Sequence, residues 1–332
     1  MTEPDTRTTP PAERQRTVAV LGGTGFVGRA LCASFEAAGD SVLALARTEP
    51  ADLPAARFRR FDLSGSSAAS LAELLLEEGV DVVVNAAGGM WGLSDEQMVE
   101  ANVGLVGRVV EAVTSLPRRV RLIHLGTVHE YGMAPVGRSQ SEQTTPQPVM
   151  VYGELKLRAA EIVTDAVAEG RLDAVVLRVG NVVGAGQPGH SLLGVMAAKL
   201  AEAGAAGRTA ELKLAPLTAQ RDFVDLDDTV AAVLAAASAA QLPPVVNVGR
   251  GEAVSARRMV ELLIGVSGVD TAVTEEPAPA GTGPETEWQC MDVGLAEQAL
   301  GWAPRRSLED SVASLWDAQY AGALHKGAEA HV

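Results

Sequence analysis

The sequence predicts an α/β protein, a doubly wound parallel sheet followed by a smaller C-terminal lobe. Three observations lead there. Short apolar runs alternate with stretches of helical periodicity, the pattern of right-handed strand–helix–strand crossovers. The first run is followed at once by a glycine-rich turn, Gly22 to Gly28. A later run, residues 80–86, is mostly apolar rather than alternating, as a strand buried on both faces is.

Taken in order, residues 17–21 form the first strand, with β-branched residues in a short apolar run. Phe26, Val27, Ala30, Leu31 and Phe35 then recur at helical spacing. Residues 41–46 read as a second strand and 57–61 as a third, ending at Asp62. Leu71, Leu74 and Leu75 mark a helix, and 80–86 a strand. Residues 98–113 are helical, 120–125 a strand, 152–168 a helix and 174–178 a strand. Beyond about residue 180 the pattern becomes irregular. Residues 192–203, 227–240 and 308–318 read as helices, and 273–285, rich in Pro, Gly and Glu, as a mobile surface loop. The expected division is a disordered extension over 1–16, a dinucleotide-binding domain over 17–180, a substrate-binding lobe over 181–320 interleaved with the main sheet, and a tail over 321–332.

Composition narrows the function. The 332 residues are 47% hydrophobic and 21% charged, enough to bury a core. The formal net charge of -15 repels phosphate backbones and argues against nucleic-acid binding. An anionic ligand must therefore be captured locally, by a few cations and backbone N–H groups. Cys32 and Cys290 are far apart and have no Cys or His at ligand spacing, so no metal site is expected. No apolar run approaches a membrane span. The polar, proline-bearing start has no signal-peptide core, and the expectation is a cytoplasmic enzyme.

The turn Gly22-Gly23-Thr24-Gly25-Phe26-Val27-Gly28 carries glycines in GxxGxxG spacing between a strand and a helix. The first permits a tight turn, Gly25 lets backbone N–H groups approach a pyrophosphate, and Gly28 lets helix and strand pack closely. The second strand ends in Arg47-Thr48 rather than an acid. An acid there would hold a ribose 2′-hydroxyl, whereas Arg47 and Thr48 suit a 2′-phosphate, which favours NADP(H) over NAD(H). The plain alternative for Arg47 is a solvated surface charge. Asp62 is placed to meet an adenine amino group, or to serve a turn.

Tyr152 and Lys156 form a YxxxK pattern on one helix face. A phenol beside an ammonium loses its proton more easily and can exchange it with a substrate oxygen. Thr127 lies just past the strand at 120–125, where a hydroxyl can point into the ligand crevice.

With these residues in view, the chain from about residue 17 to 316 resembles an extended short-chain dehydrogenase/reductase of the NAD-dependent epimerase/dehydratase type, a Rossmann fold. The resemblance rests on Gly22 to Gly28, Asn85-Ala86-Ala87-Gly88, Asn102, Thr127 with Tyr131-Gly132, and Tyr152 with Lys156. It extends through residues 177–184, Arg221-Asp222-Phe223-Val224, Asn247-Val248-Gly249 and Leu300-Gly301-Trp302 with Pro304. It implies Thr127, Tyr152 and Lys156 as the catalytic set. It implies Leu63, Ala86, Ala87, Gly88 and Asn102 beside the cofactor, and Asn181 and Arg221 facing a nucleotide-sugar diphosphate. The alternative for Arg221 is a salt bridge with Asp225 or Asp227. Trp91 fits either a sugar-pocket wall or core packing, and His129 either a sugar contact or a structural role.

Departures from the pattern narrow the reaction. Dehydratases that this chain resembles carry Asp-Glu after the catalytic threonine; here Val128 and His129 follow. Epimerases of the group hold NAD with an acid after the second strand, and Arg47 stands against that. The resemblance is strongest to the NDP-4-keto-6-deoxyhexose 4-ketoreductases of antibiotic deoxysugar pathways. It implies NADPH-dependent reduction at C4, and a homodimer by analogy. An NDP-sugar epimerase and a non-catalytic NADP(H) sensor stay open.

Overall fold

The structure, a computed structural model, describes residues 15–49, 57–277 and 287–329. The extension expected over 1–16 falls almost wholly outside them, as do residues 278–285 of the expected loop.

The main sheet has seven parallel strands in the order β10-β6-β5-β4-β1-β2-β3. They are β1 (Thr17–Leu21), β2 (Ser41–Ala46), β3 (Arg57–Arg60), β4 (Val82–Asn85), β5 (Arg121–Thr127), β6 (Asp173–Val179) and β10 (Val245–Val248). Apart from the edge strand β3, which is charged and largely exposed, the sheet's strands bury both faces, which is why they read as apolar runs. Along β1, Val18 and Val20 pack into the core under α1 (Phe26–Ala37) and α7 (Leu226–Ser238). Ala19 and Leu21 pack into the opposite core under α2 (Ala68–Glu77), α4 (Leu105–Thr114) and α5 (Val151–Ala168). The strand order reverses between β1 and β4, so a crevice opens there at the carboxyl ends of the strands.

The expected helix over 98–113 is interrupted. A short α3 (Asp95–Val99) runs into a π turn, Glu100–Gly104, before α4 begins. Such π turns insert a residue into a helix and often mark functional positions. Here the turn presents Asn102.

The later chain builds a second unit. β7 (Asn181–Val183), β9 (Gln220–Asp225) and β11 (Ala253–Ser255) form a three-stranded sheet. β8 (Ala210–Leu214) pairs in parallel with β12 (Thr271–Glu275). Residues 271–275, part of which was expected as loop, are thus strand, because they close the edge of β8. α6 (Leu192–Ala205), α8 (Ala256–Ser267) and α10 (Leu308–Glu329) share a third core around Leu200, Leu263 and Trp316. Residues 321–329, expected as tail, continue α10. α9 (Gly294–Leu300) leads to Trp302, whose Nε1 donates to the Asp228 carbonyl at 2.9 Å. No helix of the described residues is long and apolar enough to cross a membrane.

Candidate active site

The glycine turn is a cradle from which side chains are excluded. Gly22 sits at φ +76, a left-handed conformation that L side chains avoid, and a Cβ there would meet the Ala86–Ala87 backbone. A Cβ on Gly28 would come within 2.1 Å of the Gly22 carbonyl oxygen. Helix α1 begins after Gly25 with no side-chain cap, leaving its first N–H groups to an external acceptor. A dinucleotide pyrophosphate fits such a cradle.

Two cavities open side by side along the strand ends. The larger, about 540 Å³, is lined by Gly22, Thr24, Gly25, Arg47, Thr48, Asp62, Leu63 and residues 86–89. The smaller, about 220 Å³, shares residues 86–89 and adds Val27, Asn102, Thr127, Tyr152 and Lys156. The shared loop makes them one cleft, with the anion cradle at one end and the YxxxK helix at the other. Phe26 and Gly28 stand behind this lining. Phe26 packs against the α1 core, and Gly28 is buried against Gly22.

Each wall has a local cause. Asn102 is buried, and its Nδ2 donates to the carbonyls of Gly89 and Met98 at 2.7 and 2.8 Å. It thereby rivets the shared loop to the π turn. Asn85 at the end of β4 accepts from the Ala87 amide at 3.1 Å and pairs with Nδ1 of His124. Asp62 lines the cavity while its Oδ1 accepts from the Ser64 amide, so it serves the turn as well.

At the other end, Thr127 closes β5 and caps a 3-10 turn, Val128–Glu130. Tyr152 and Lys156 lie in the first turns of α5. Burial, reinforced by Glu130, pushes the Tyr152 phenol up to about 12. The direction is opposite to the one expected from an ammonium neighbour: desolvation leads, and the Glu130 charge adds to it. Tyr152 therefore carries its proton at neutral pH. Lys156 is drawn down to about 8 by burial, against the pull of Glu130. Its ammonium donates to the Leu125 carbonyl.

The expected sugar-side residues are more scattered. Trp91 is 59% exposed, which excludes core packing. Its ring lines the larger cavity and sits 5.1 Å from that of His190. His129 lies edge-on to Tyr152, with ring centroids 6.3 Å apart. Burial and the nearby Arg221 push it down to about 4, so it is neutral. Arg221 is half-buried and donates to the carbonyls of Gln220 and Glu287. It forms no salt bridge with Asp225 or Asp227: Asp225 caps α7, and Asp227 pairs with Arg306. Asn181 donates to the Asp222 carbonyl at 3.0 Å. His129, Asn181 and Arg221 lie outside the lining of both cavities, with His129 linking Arg221 to the catalytic end.

Two residues beside the site were given no role by the reading of the sequence, Glu130 and Arg178, which form a buried ion pair at 2.7 Å. A signal existed. Thr127-x-x-Glu130 is a capping box, in which Glu130 accepts from the Thr127 amide at 2.8 Å.

The sequence profile of the NAD dependent epimerase/dehydratase family matches residues 18–249. The chain belongs to that family. It is an NAD(P)-dependent oxidoreductase, and the expectation of an extended short-chain dehydrogenase/reductase holds. The chain is 63% identical over 302 residues, 91% of itself and 95% of the relative, to a dTDP-6-deoxy-L-talose 4-dehydrogenase (NAD(P)(+)) of Kitasatospora kifunensis. It is 24% identical to a GDP-6-deoxy-D-mannose reductase of Pseudomonas aeruginosa, over 89% of this chain and 94% of that one. Among solved structures, MoeE5 in complex with UDP-glucuronic acid and NAD superposes with a TM-score of 0.77 at 25% identity, covering 92% of this chain and 99% of that one. The epimerase/dehydratase family thus accounts for the sheet, the glycine cradle and the YxxxK helix together.

Proposed function

We propose that this enzyme reduces the C4 keto group of a dTDP-linked 4-keto-6-deoxyhexose with NADPH, in the cytoplasm, as a step of deoxysugar biosynthesis in an antibiotic pathway. The observation that carries the reading is the single cleft in which Thr127, Tyr152 and Lys156 share a wall with the glycine-cradled cavity. The named activity of the 63%-identical relative supports the dTDP-sugar and the position of the redox change.

The residues divide the work. NADPH, when bound, supplies a hydride to C4. Tyr152 gives its proton to the oxygen as charge develops there, and its high affinity for that proton suits the reductive direction. Thr127, held at the strand end, steadies the same oxygen through its hydroxyl. Lys156 holds the nicotinamide ribose and the field around Tyr152. Proton return to the phenolate comes through Lys156 from solvent. Gly22, Thr24, Gly25 and the open end of α1 hold the pyrophosphate. Arg47 and Thr48, with no acid at the end of β2, hold the 2′-phosphate, and Asp62 meets the adenine. Arg221 and Asn181 face the sugar's diphosphate, with His129 and Trp91 at the approaches.

The test is direct. Mixing enzyme, NADPH and a dTDP-4-keto-6-deoxyhexose should consume nicotinamide absorbance and yield a product heavier by one hydride and one proton. Intact NADPH binding with no consumption across several such sugars overturns the reading. Tightly held NAD in the purified protein would favour an epimerase instead.

A further inference from the structure

Behind the cleft sits an acid with no exposed surface. Glu130 is 0% exposed and ends the turn that Thr127 caps. Its Oε1 accepts from the Thr127 amide at 2.8 Å, and its Oε2 from Arg178 Nε at 2.7 Å. Its place is reserved for it. A Cβ on Gly126 would come within 2.5 Å of Glu130 Oε1, so the carboxylate fills the space left by that missing side chain. Gly126 itself lines the catalytic cavity. Arg178 is the register partner of Gly126 on β6, and its guanidinium lies 4.4 Å over the ring of Tyr131. The Tyr131 hydroxyl is anchored in turn on Asn247 Oδ1 at 2.8 Å.

Every element packed on this acid presents a group to it. β5 presents the Thr127 amide, β6 presents Arg178, and α5 presents Lys156 and Tyr152. From its own turn comes His129, which is neutral and faces Arg221. Burial raises the Glu130 carboxyl, and Arg178, Lys156 and the Thr127 amide oppose that rise. Both of its oxygens accept hydrogen bonds, the arrangement of a carboxylate. Lys156 makes no ion pair among the described residues, and a buried ammonium without a compensating charge gives up its proton.

We propose that Glu130 is a positioning residue for the catalytic set: its carboxylate clamps the Thr127 amide and supplies the counter-charge that keeps Lys156 an ammonium. The role rests on the assignment of Thr127, Tyr152 and Lys156, but on no particular sugar. Without Glu130, Lys156 sheds its proton at lower pH, and its hold on the nicotinamide ribose weakens as it does so.

The experiment is a titration of NADPH binding by the whole enzyme, followed by nicotinamide fluorescence from mildly acidic to alkaline pH. Binding by the unmodified enzyme should weaken as pH rises through about 8, where Lys156 loses its proton. In Glu130→Gln that weakening should begin about one pH unit lower, the shift expected when a nearby opposite charge is removed. Glu130→Asp, which keeps the charge, should move it back. On the sugar, Glu130→Gln should lower kcat with little change in KM. Glu130→Gln strands Arg178, so the double variant Glu130→Met with Arg178→Met serves where the single one does not fold, since apolar replacement of a buried pair preserves folding. A smaller downward shift is expected in it, because a charge of the same sign as Lys156 leaves together with the carboxylate. An unshifted midpoint in these variants, or an unmodified enzyme whose binding ignores pH near 8, overturns the proposal. Neither result depends on which sugar is reduced.

Discussion

The side chain of Asn102 and the backbone of Gly89 grip each other in both directions. Asn102 Nδ2 donates to the Gly89 carbonyl at 2.7 Å, and the Gly89 amide donates back to Asn102 Oδ1 at 3.4 Å. This pair ties the π turn to the loop shared by both halves of the cleft. Asn102→Ala should therefore loosen the floor on which any nicotinamide dinucleotide lies. We expect NADPH and NADH affinities to fall together, by about tenfold for about 1–1.5 kcal/mol of lost hydrogen bonding. Parallel titrations of the two cofactors check this.

Arg47 should act differently. It lines the larger cavity at the end of β2 and makes no ion pair among the described residues. Arg47→Ala should weaken NADPH by roughly 10- to 100-fold, as loss of a charge-assisted contact does, and leave NADH unchanged. Equal losses for both cofactors would remove Arg47 from the 2′-phosphate.

Tyr152→Phe keeps the ring and removes the proton. The expected loss in kcat is about 10²- to 10⁴-fold, with NADPH binding retained. Stopped-flow and steady-state rates in both directions measure it. A residual rate within a few-fold of the starting enzyme would move the proton donor elsewhere.

Activity should fall on the alkaline side and hold steady through the range where an ordinary histidine titrates. Lys156 is charged below about 8 and neutral above it, so kcat/KM declines as pH rises through that value. His129, pushed down to about 4 by burial and Arg221, is already neutral well below pH 6 and adds no limb there. His129→Asn should leave the pH profile's shape intact. A limb near pH 6.5 that disappears in His129→Asn would contradict this.

Gly28→Ala tests the cradle itself. The added carbon meets the Gly22 oxygen at 2.1 Å, which forces α1 away from β1. Overpacking of this kind costs about 1–3 kcal/mol. We expect a lower thermal midpoint together with weaker binding of both cofactors.

The main sheet and the catalytic end were legible because their signals are local. Apolar strands buried on both faces, glycines at a strand–helix junction and a YxxxK pair each lie within a few residues of sequence. The lobe was harder to read for a physical reason. β8 does alternate, with Ala210, Leu212 and Leu214 buried, but its partner β12 begins at Thr271, across α7 and α8. No local pattern announces that pairing. Spacing reveals an ammonium near the Tyr152 phenol and hides the desolvation that raises it. Glu130 was missed because a capping box reads as a structural device, and only folding brings Arg178, 48 residues away, against it.

Strand β10 illustrates the reach of this fold. Although Val245–Val248 comes after the first half of the lobe in the chain, it pairs with β6 and forms the outer rim of the nucleotide-binding sheet. During translation the nascent polypeptide must emerge past residue 248 before that rim can close. Until then the flank of β6 lies bare, an invitation to chaperones and to illegitimate strand pairing. Genetic fragments cut between the two units should consequently be recovered as insoluble material, and should regain solubility only when both pieces are synthesised together.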